Sequence, residues 1–287
     1  MNKDPRIIRE EVSVSYTSAV QADRVQQDSS CCCPGSCSTE VEQKGVAAKL
    51  GGYASEELSE LPDDAVSNSF GCGNPLAFAD VAEGETVVDL GSGAGIDVLL
   101  AGRKVGPSGH VIGIDMTDEM LARARANIEA AGMDHVEVRK GIIEELPIDD
   151  ASVDWVISNC VINLSPEKER VFAEIARVLK PGGRLVVSDI VAEDLPEWVR
   201  EDAALYGGCL GGAISEGAYL AGLRSAGMVD AEVTERIVYD EAQLAAFVGS
   251  ECCDPSAAPK IPTERVAELS STMTGKVWSA KFSATRA

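Results

Sequence analysis

The sequence predicts an α/β fold built on an open, doubly wound and mostly parallel sheet of seven strands. From residue 86 onward, short apolar runs of strand length alternate with longer segments whose apolar residues recur at helical spacing. One such run, Val87–Leu90, leads directly into the glycine-rich turn Gly91–Gly95, and a helical pattern follows it. This alternation is typical of parallel sheets that carry helices on both faces.

The individual elements follow from periodicity and from turn residues. We predict strands at Thr86–Leu90, Val111–Asp115, Val136–Lys140, Trp155–Asn159, Arg184–Val191, Ala231–Tyr239 and Lys276–Ala284, the last of them antiparallel. Helices are predicted over residues 4–28, from Ser55, at Ile96–Lys104, Glu119–Ala131 and Glu167–Leu179, and over residues 216–226 and 240–248. Lys180-Pro181-Gly182-Gly183 should end the helix before the fifth strand.

The charge of the chain excludes one large class of partner. Its 47 acidic residues outnumber its 25 basic residues and give a formal net charge of −22, which would repel a phosphate polyanion such as a nucleic acid. No apolar run is long enough to span a bilayer, and Met1–Asp4 does not resemble the start of a signal peptide, so we expect a cytoplasmic protein without a membrane partner. The acidic residues are dispersed along the chain, which is typical of halophilic proteins.

The glycine-rich turn indicates a nucleotide site. Gly91, Gly93 and Gly95 let the backbone approach a ligand closely, and the apolar strand before them ends at Asp89-Leu90. A dinucleotide fingerprint needs its third glycine at position 96, where this chain has Ile96, so we favour S-adenosylmethionine over a nicotinamide dinucleotide.

The carboxyl ends of the following strands supply the remaining cofactor contacts, because ligands of such sheets bind there. Asp115 is placed to accept hydrogen bonds from the ribose hydroxyls, and Met116 to pack on the adenine ring. Ile143 and Glu144 should lie near the adenine edge, and Asn159 closes the fourth strand.

The cysteines suggest the second substrate. The chain has nine cysteines, an odd number that argues against a disulfide framework. Cys72 lies between glycines, Cys160 follows a strand end and Cys209 lies among four glycines. Three convergent thiolates suit a soft, three-coordinate ion, and trivalent arsenic keeps an electron pair that can attack a sulfonium methyl group.

Several segments resemble those of arsenite S-adenosylmethionine methyltransferases of the class I superfamily. They are Leu50–Tyr53, Gly71–Pro75, Ser158–Ser165 and Gly208–Ala213, and the match runs from about Leu50 to about Gly227. The cysteine-rich segment 31–37 also resembles the N-terminal segment of this family.

The resemblance implies a seven-stranded Rossmann-like methyltransferase sheet and a role in arsenic detoxification. It implies that Cys72, Cys160 and Cys209 bind arsenite and methylarsenite, and that Tyr53 lies near the donor methyl group. A fourth thiol, for which we choose Cys37, would form a disulfide with one of the three. A thiol reductant such as thioredoxin or glutathione would then restore the enzyme. Cys252 and Cys253 are further candidates for thiol relay.

The same reasoning divides the chain into three parts. Residues 1–45 hold the N-terminal helix and the cysteine-rich loop, and residues 46–192 form the S-adenosylmethionine-binding domain. Residues 193–287 hold the arsenic-site loop, the final strands of the sheet and a C-terminal lobe.

Three alternatives remain open at this point. A methyltransferase of the same fold could act on a small organic acceptor, which would require an acid or base near the methyl group. The second alternative is a thiol-rich arsenic-binding protein. Such a protein would need no nucleotide site, so Asp89 and Asp115 argue against it. A nicotinamide dehydrogenase is disfavoured by Ile96.

The halophile hypothesis predicts a salt-dependent stability. Because salt screens the repulsion among the acidic side chains, the melting temperature should rise by several degrees between about 0.1 M and about 2 M KCl. Scanning calorimetry measures this directly. A melting temperature that stays constant or falls would contradict the hypothesis.

Overall fold

The structure is a computed structural model that describes residues 4–28, 53–69, 73–77, 79–249 and 261–287. Its strands are β1 (Thr86–Leu90), β2 (His110–Asp115), β3 (Val136–Lys140), β4 (Val153–Asn159), β5 (Leu179–Ala192), β6 (Met228–Val238) and β7 (Val277–Arg286). Its helices are α1 (Pro5–Asp28), α2 (Ser55–Ser59), α3 (Asp63–Ser67), α4 (Ile96–Val105), α5 (Asp118–Ala131), α6 (Lys168–Val178), α7 (Glu197–Glu201), α8 (Ala203–Gly207), α9 (Glu216–Ser225), α10 (Glu241–Gly249) and α11 (Thr263–Met273). Short 3₁₀ helices lie at Pro75–Ala77 and Ile162–Leu164. None of the helices described is long and apolar enough to cross a membrane.

The strands form one mixed sheet in the order β3-β2-β1-β4-β5-β7-β6. The first five of these are mutually parallel, and β7 is antiparallel to both of its neighbours. The predicted seven-stranded α/β sheet is therefore confirmed, as is the antiparallel direction of the last strand. Because β1 and β4 lie at the centre, their carboxyl ends meet at the point where the strand order reverses.

The sheet lies between two hydrophobic cores, and alternating residues of its central strands face one core or the other. Val88 and Leu90 of β1 pack on one face with Phe172 of α6, while Val87 packs on the other face with Leu99 of α4. This is the period-2 pattern of a strand that is buried on both faces. A third cluster includes Cys160, Ile190 and Leu210 and lies at the carboxyl ends of β4 and β5.

The largest error in a predicted strand boundary is at the start of β5. The helix before β5 ends at Val178, and Leu179 already pairs with Val153, so β5 begins five residues earlier than the predicted Arg184. The pairing register shifts between Val153 and Trp155, and Gly182 has a φ of 78°. The Pro-Gly-Gly segment is therefore an irregular part of the strand rather than a turn before it, because the shift in register absorbs the extra residues.

An aromatic cluster secures the antiparallel strand to the sheet. Phe282 of β7 is fully buried and stacks on Tyr219 of α9, with ring centroids 4.0 Å apart and an angle of 9° between the planes. Tyr219 also meets the edge of Phe172, with a centroid distance of 5.1 Å. One cluster of rings thus joins α6, α9 and β7.

Removal of the Phe282 ring should destabilise the fold strongly. We expect Phe282→Ala to lower the free energy of unfolding by about 3–5 kcal/mol, because it leaves a cavity beside Tyr219. Phe282→Leu, the matched control, retains most of the volume and should cost less than about 2 kcal/mol. Urea unfolding of both variants measures the difference, and equal costs would contradict the proposed role of the ring stack.

Candidate active site

A crevice opens where the carboxyl ends of β1, β2, β3 and β4 meet. Its lining includes most of the predicted cofactor residues, namely Gly91, Gly93, Asp115, Met116, Ile143, Glu144 and Asn159, together with Cys160. Asp89, Gly95 and Tyr53 do not line the crevice directly, but each is packed behind it or bonded to a group behind it. The strand ends predicted from the sequence therefore converge on one concave site.

The glycine-rich turn holds a shape that side chains would disrupt. Gly91 has a φ of 70°, and a Cβ atom there would lie 2.4 Å from Cγ2 of Val161. Gly95, with a φ of 99°, is the residue from which α4 begins. The backbone N–H of Gly93 donates to Asp115 Oδ2 at 3.0 Å, so the turn after β1 is tied to the end of β2.

Asp115 is held rigidly at the edge of the crevice. In addition to the bond from Gly93, its Oδ1 accepts from the N–H of Thr117 at 2.8 Å. Two backbone donors thus orient the carboxylate, and each oxygen keeps lone pairs for further donors. This arrangement suits recognition of a ribose diol.

A second carboxylate, that of the buried Asp97, lies in the first turn of α4. The hydroxyl of Tyr53 donates to Asp97 at 2.8 Å and 3.0 Å from its two oxygens, and Asn159 Nδ2 donates to the Tyr53 hydroxyl at 2.9 Å. Burial raises the pKa of Asp97 to about 6, against the opposing hydrogen bonds from Tyr53 and Asn159. The pKa of Asp89 is also raised, first by burial and then by the charges of Asp97 and Asp115.

The opposite wall is covered by the N-terminal helix. Arg9 of α1 donates through Nη1 to Glu144 at 3.0 Å and to Glu167 at 2.9 Å. Ser165 Oγ donates to the same oxygen of Glu144 at 2.6 Å. Because the side chain of Glu144 is only 2% exposed, these contacts compensate a buried charge.

Two of the three predicted arsenic ligands meet beside the crevice. The thiol of Cys209 donates to the backbone oxygen of Cys160 at 2.7 Å, and both residues are buried. Their φ angles are 60° at Cys160 and 68° at Cys209, a left-handed conformation that is costly for residues with a Cβ atom. Cys160 is disulfide-bonded and Cys209 is not, so the two are not bonded to each other.

The other predicted thiols lie in parts of the chain that the structure does not describe. They are Cys37, Cys72, Cys252 and Cys253. Gly73, which directly follows Cys72 in the sequence, is described and bonds to Asn159 at the end of β4.

Sequence reasoning missed several residues of the crevice. Asp97 had a local signal, since an acid in the first turn of a helix after a glycine turn commonly interacts with the helix dipole. Arg9, Val12 and Tyr16 of α1 line the crevice but gave no such signal. Arg9 meets a residue 135 positions away, a pairing that no local pattern shows.

The raised pKa of Asp97 predicts a change of stability with pH. Because its folded pKa is about 6 and its ordinary value is 3.8, the folded protein binds the additional proton between these values, and the free energy of unfolding falls as pH rises through that window. Asp97→Asn should therefore gain about 2 kcal/mol of stability relative to the unmodified protein between pH 4 and pH 7.

Urea unfolding at both pH values measures this gain. A gain that is independent of pH would contradict the assignment.

Comparison with known proteins identifies the family. A family model described as a methyltransferase domain matches residues 82–242, which is more than half of the chain. The chain is 47% identical over 203 residues to an arsenite methyltransferase of Halobacterium salinarum, a match that covers 70% of this chain and 51% of the relative. An arsenite methyltransferase of Aquipseudomonas alcaligenes is 42% identical, with 58% of this chain and 50% of the relative covered. The chain thus spans about half the length of these curated relatives.

A solved structure extends the comparison. The crystal structure of an arsenic(III) S-adenosylmethionine methyltransferase from Chlamydomonas reinhardtii superposes with a TM-score of 0.60 and 31% sequence identity. This match covers 84% of the present chain and 72% of the algal one. The sheet order, the crevice, the family model and these relatives agree, and the chain belongs to the arsenite S-adenosylmethionine methyltransferase family of class I methyltransferases.

Proposed function

We propose that the protein transfers the methyl group of S-adenosylmethionine to trivalent arsenic bound by Cys72, Cys160 and Cys209. The observation that carries this proposal is the contact between Cys209 and Cys160, two residues 49 positions apart whose meeting point lies at the edge of the crevice. Methylation of an organic acceptor would not require two cysteines to meet, each in a left-handed backbone conformation.

The crevice fits the proposed methyl donor. Asp115 offers oriented carboxylate oxygens for ribose hydroxyls, and Met116 and Ile143 offer apolar surface for an adenine ring. No atom lies within 4 Å of where a Cβ atom would be at Gly93, which leaves room for the ligand beside the backbone. S-adenosylmethionine supplies a sulfonium methyl group that an electron pair can attack. The ionised forms of Asp89 and Asp97 would attract this cationic group, and its charge would in turn lower their raised pKa values.

The proposed methyl transfer needs no general acid or base. Three thiolates replace the oxygens of arsenite, and the arsenic keeps its electron pair. When that pair forms an As–C bond, the methyl–sulfur bond breaks and arsenic is oxidised from the trivalent to the pentavalent state. No proton is removed at this step, so the role of the protein is to position the two centres.

A cation near Cys209 supports binding through thiolates. Lys168 donates to the backbone oxygens of Asn163 at 3.2 Å and Ser165 at 2.8 Å, and it interacts electrostatically with Cys209. Burial lowers the pKa of Lys168 to about 8, while the charge of Asp189 opposes this shift. A protonated Lys168 favours the negative form of the thiol.

Turnover requires a source of electrons. Two thiols that form a disulfide release the two electrons that return methylated arsenic to the trivalent state. We propose Cys37 as one of these thiols, with thioredoxin, glutathione or a similar thiol reductant as the partner that restores both. Such reductants favour a cytoplasmic location. Since Cys160 is disulfide-bonded in the structure, arsenite should bind only after reduction.

Speciation of arsenic after incubation with arsenite, S-adenosylmethionine and a thiol tests the function. We expect Cys209→Ser and Cys209→Gly each to lower the methylation rate by about 100-fold or more, because one arsenic ligand is lost and the centres are misplaced. Glycine tolerates the backbone conformation at 209, so the second variant should fold normally.

Calorimetric titration with S-adenosylhomocysteine is the control. Its affinity for both variants should stay within about 3-fold of the unmodified protein. Methylated arsenic formed at the normal rate by either variant would exclude the proposed ligand set. No methylated arsenic from the reduced, unmodified protein would exclude the function itself.

A further inference from the structure

The side chain of Asn159 bonds to both backbone polar groups of a single residue, Gly73, on a different segment of the chain. Its Oδ1 accepts from the backbone N–H of Gly73 at 3.1 Å, and its Nδ2 donates to the backbone oxygen of the same residue. The two residues are 86 positions apart in the sequence. An amide that uses both its acceptor and a donor on one residue fixes both the position and the orientation of that residue.

The position of Gly73 is further restricted by β5. A Cβ atom at residue 73 would lie 1.8 Å from Ser188 Oγ and 2.6 Å from Ser188 Cβ. Ser188 is the residue that pairs with Asn159 across the sheet, and its backbone oxygen accepts from the N–H of Cys160 at 2.8 Å. Gly73, Asn159, Ser188 and Cys160 thus form one packed unit in which residue 73 must be glycine.

The same amide also bonds to Tyr53 and Asp97 beside the proposed site of the methyl donor. Asn159 Nδ2 donates to the Tyr53 hydroxyl at 2.9 Å and lies 3.4 Å from Asp97 Oδ2. Asn159 itself is the last residue of β4, and Cys160 follows it. The amide therefore stands between the buried carboxylate of α4 and the residue that follows Cys72 in the sequence.

We propose that Asn159 is a positioning residue for arsenic, which holds the Gly73 peptide so that the sulfur of Cys72 can join those of Cys160 and Cys209. Adjacent Cα atoms are about 3.8 Å apart, so fixing residue 73 restricts where residue 72 can place its side chain. This inference rests on the proposed function. It adds a residue that positions the proposed ligand Cys72 and does not itself bind arsenic.

X-ray absorption at the arsenic edge tests this directly, with the reduced full chain and arsenite in the absence of methyl donor. The unmodified protein should show three As–S contacts. Asn159→Ala should show two As–S contacts with an oxygen in place of the third, as Cys72→Ser should, and its arsenite affinity should fall by about 10-fold or more. Asn127→Ala, the matched control, removes another buried amide that donates to Ala94 and should keep three As–S contacts.

A steric pair keeps the test decisive if Asn159→Ala does not fold. Gly73→Ala should lose the third As–S contact, because its Cβ atom cannot coexist with Ser188. Combining Gly73→Ala with Ser188→Gly removes the clashing Oγ and Cβ atoms of residue 188 and should restore three As–S contacts.

The outcomes separate the two proposals. Three As–S contacts in folded Asn159→Ala, or in Gly73→Ala alone, overturn the positioning role and leave the proposed function intact. Fewer than three in the unmodified protein overturn the three-thiolate site and this inference with it.

Discussion

The end of β4 is the constraint on which the site depends. At this point the chain leaves the sheet at Asn159 and enters a left-handed conformation at Cys160, whose N–H remains bonded to Ser188 of β5. This abrupt change turns Cys160 toward the crevice instead of continuing the strand. The backbone oxygen of Cys160 is then available to the thiol of Cys209, so the loop after α8 is secured to the same point.

The crevice concentrates negative charge in a protein that is already strongly acidic. Asp89 and Asp97 are almost completely buried, and the charge of Asp115 reaches Asp89. Burial raises the pKa of all three carboxyl groups, and the charges of Asp97 and Asp115 raise that of Asp89 further. Hydrogen bonds from Tyr53 to Asp97 and from two backbone N–H groups to Asp115 oppose this shift. A cation bound in the crevice would favour the charged carboxylates, and the sulfonium of the proposed donor is such a cation.

Much of this fold follows from local sequence patterns, and the reason is visible in particular strands. Val87, Val88 and Leu90 form an apolar run because both faces of β1 are covered. The glycines after this run form the turn that their pattern predicted, and all three have positive φ angles. Asp115 was predictable because its position depends only on strand length and spacing. The contact of Arg9 with Glu144 was not, since it depends on how a distant helix packs over the sheet. The left-handed backbone at Cys160 and Cys209 has no sequence signal either, because neither residue is one that favours it.

These two cysteines show how a strained conformation can be maintained. Left-handed backbone at a residue with a Cβ atom costs of order 1 kcal/mol or more, and it persists only where the surroundings leave no alternative. Cys160 is held by the bond to Ser188 and Cys209 by its thiol and by a backbone bond to Tyr206. At Gly212, just beyond Cys209, an added Cβ atom would lie 1.9 Å from the backbone oxygen of Asn163, so the loop packs directly on the segment that follows β4. The strain is thus offset by ordinary packing and hydrogen bonds, and its result is that two thiol-bearing residues share one edge of a nucleotide crevice.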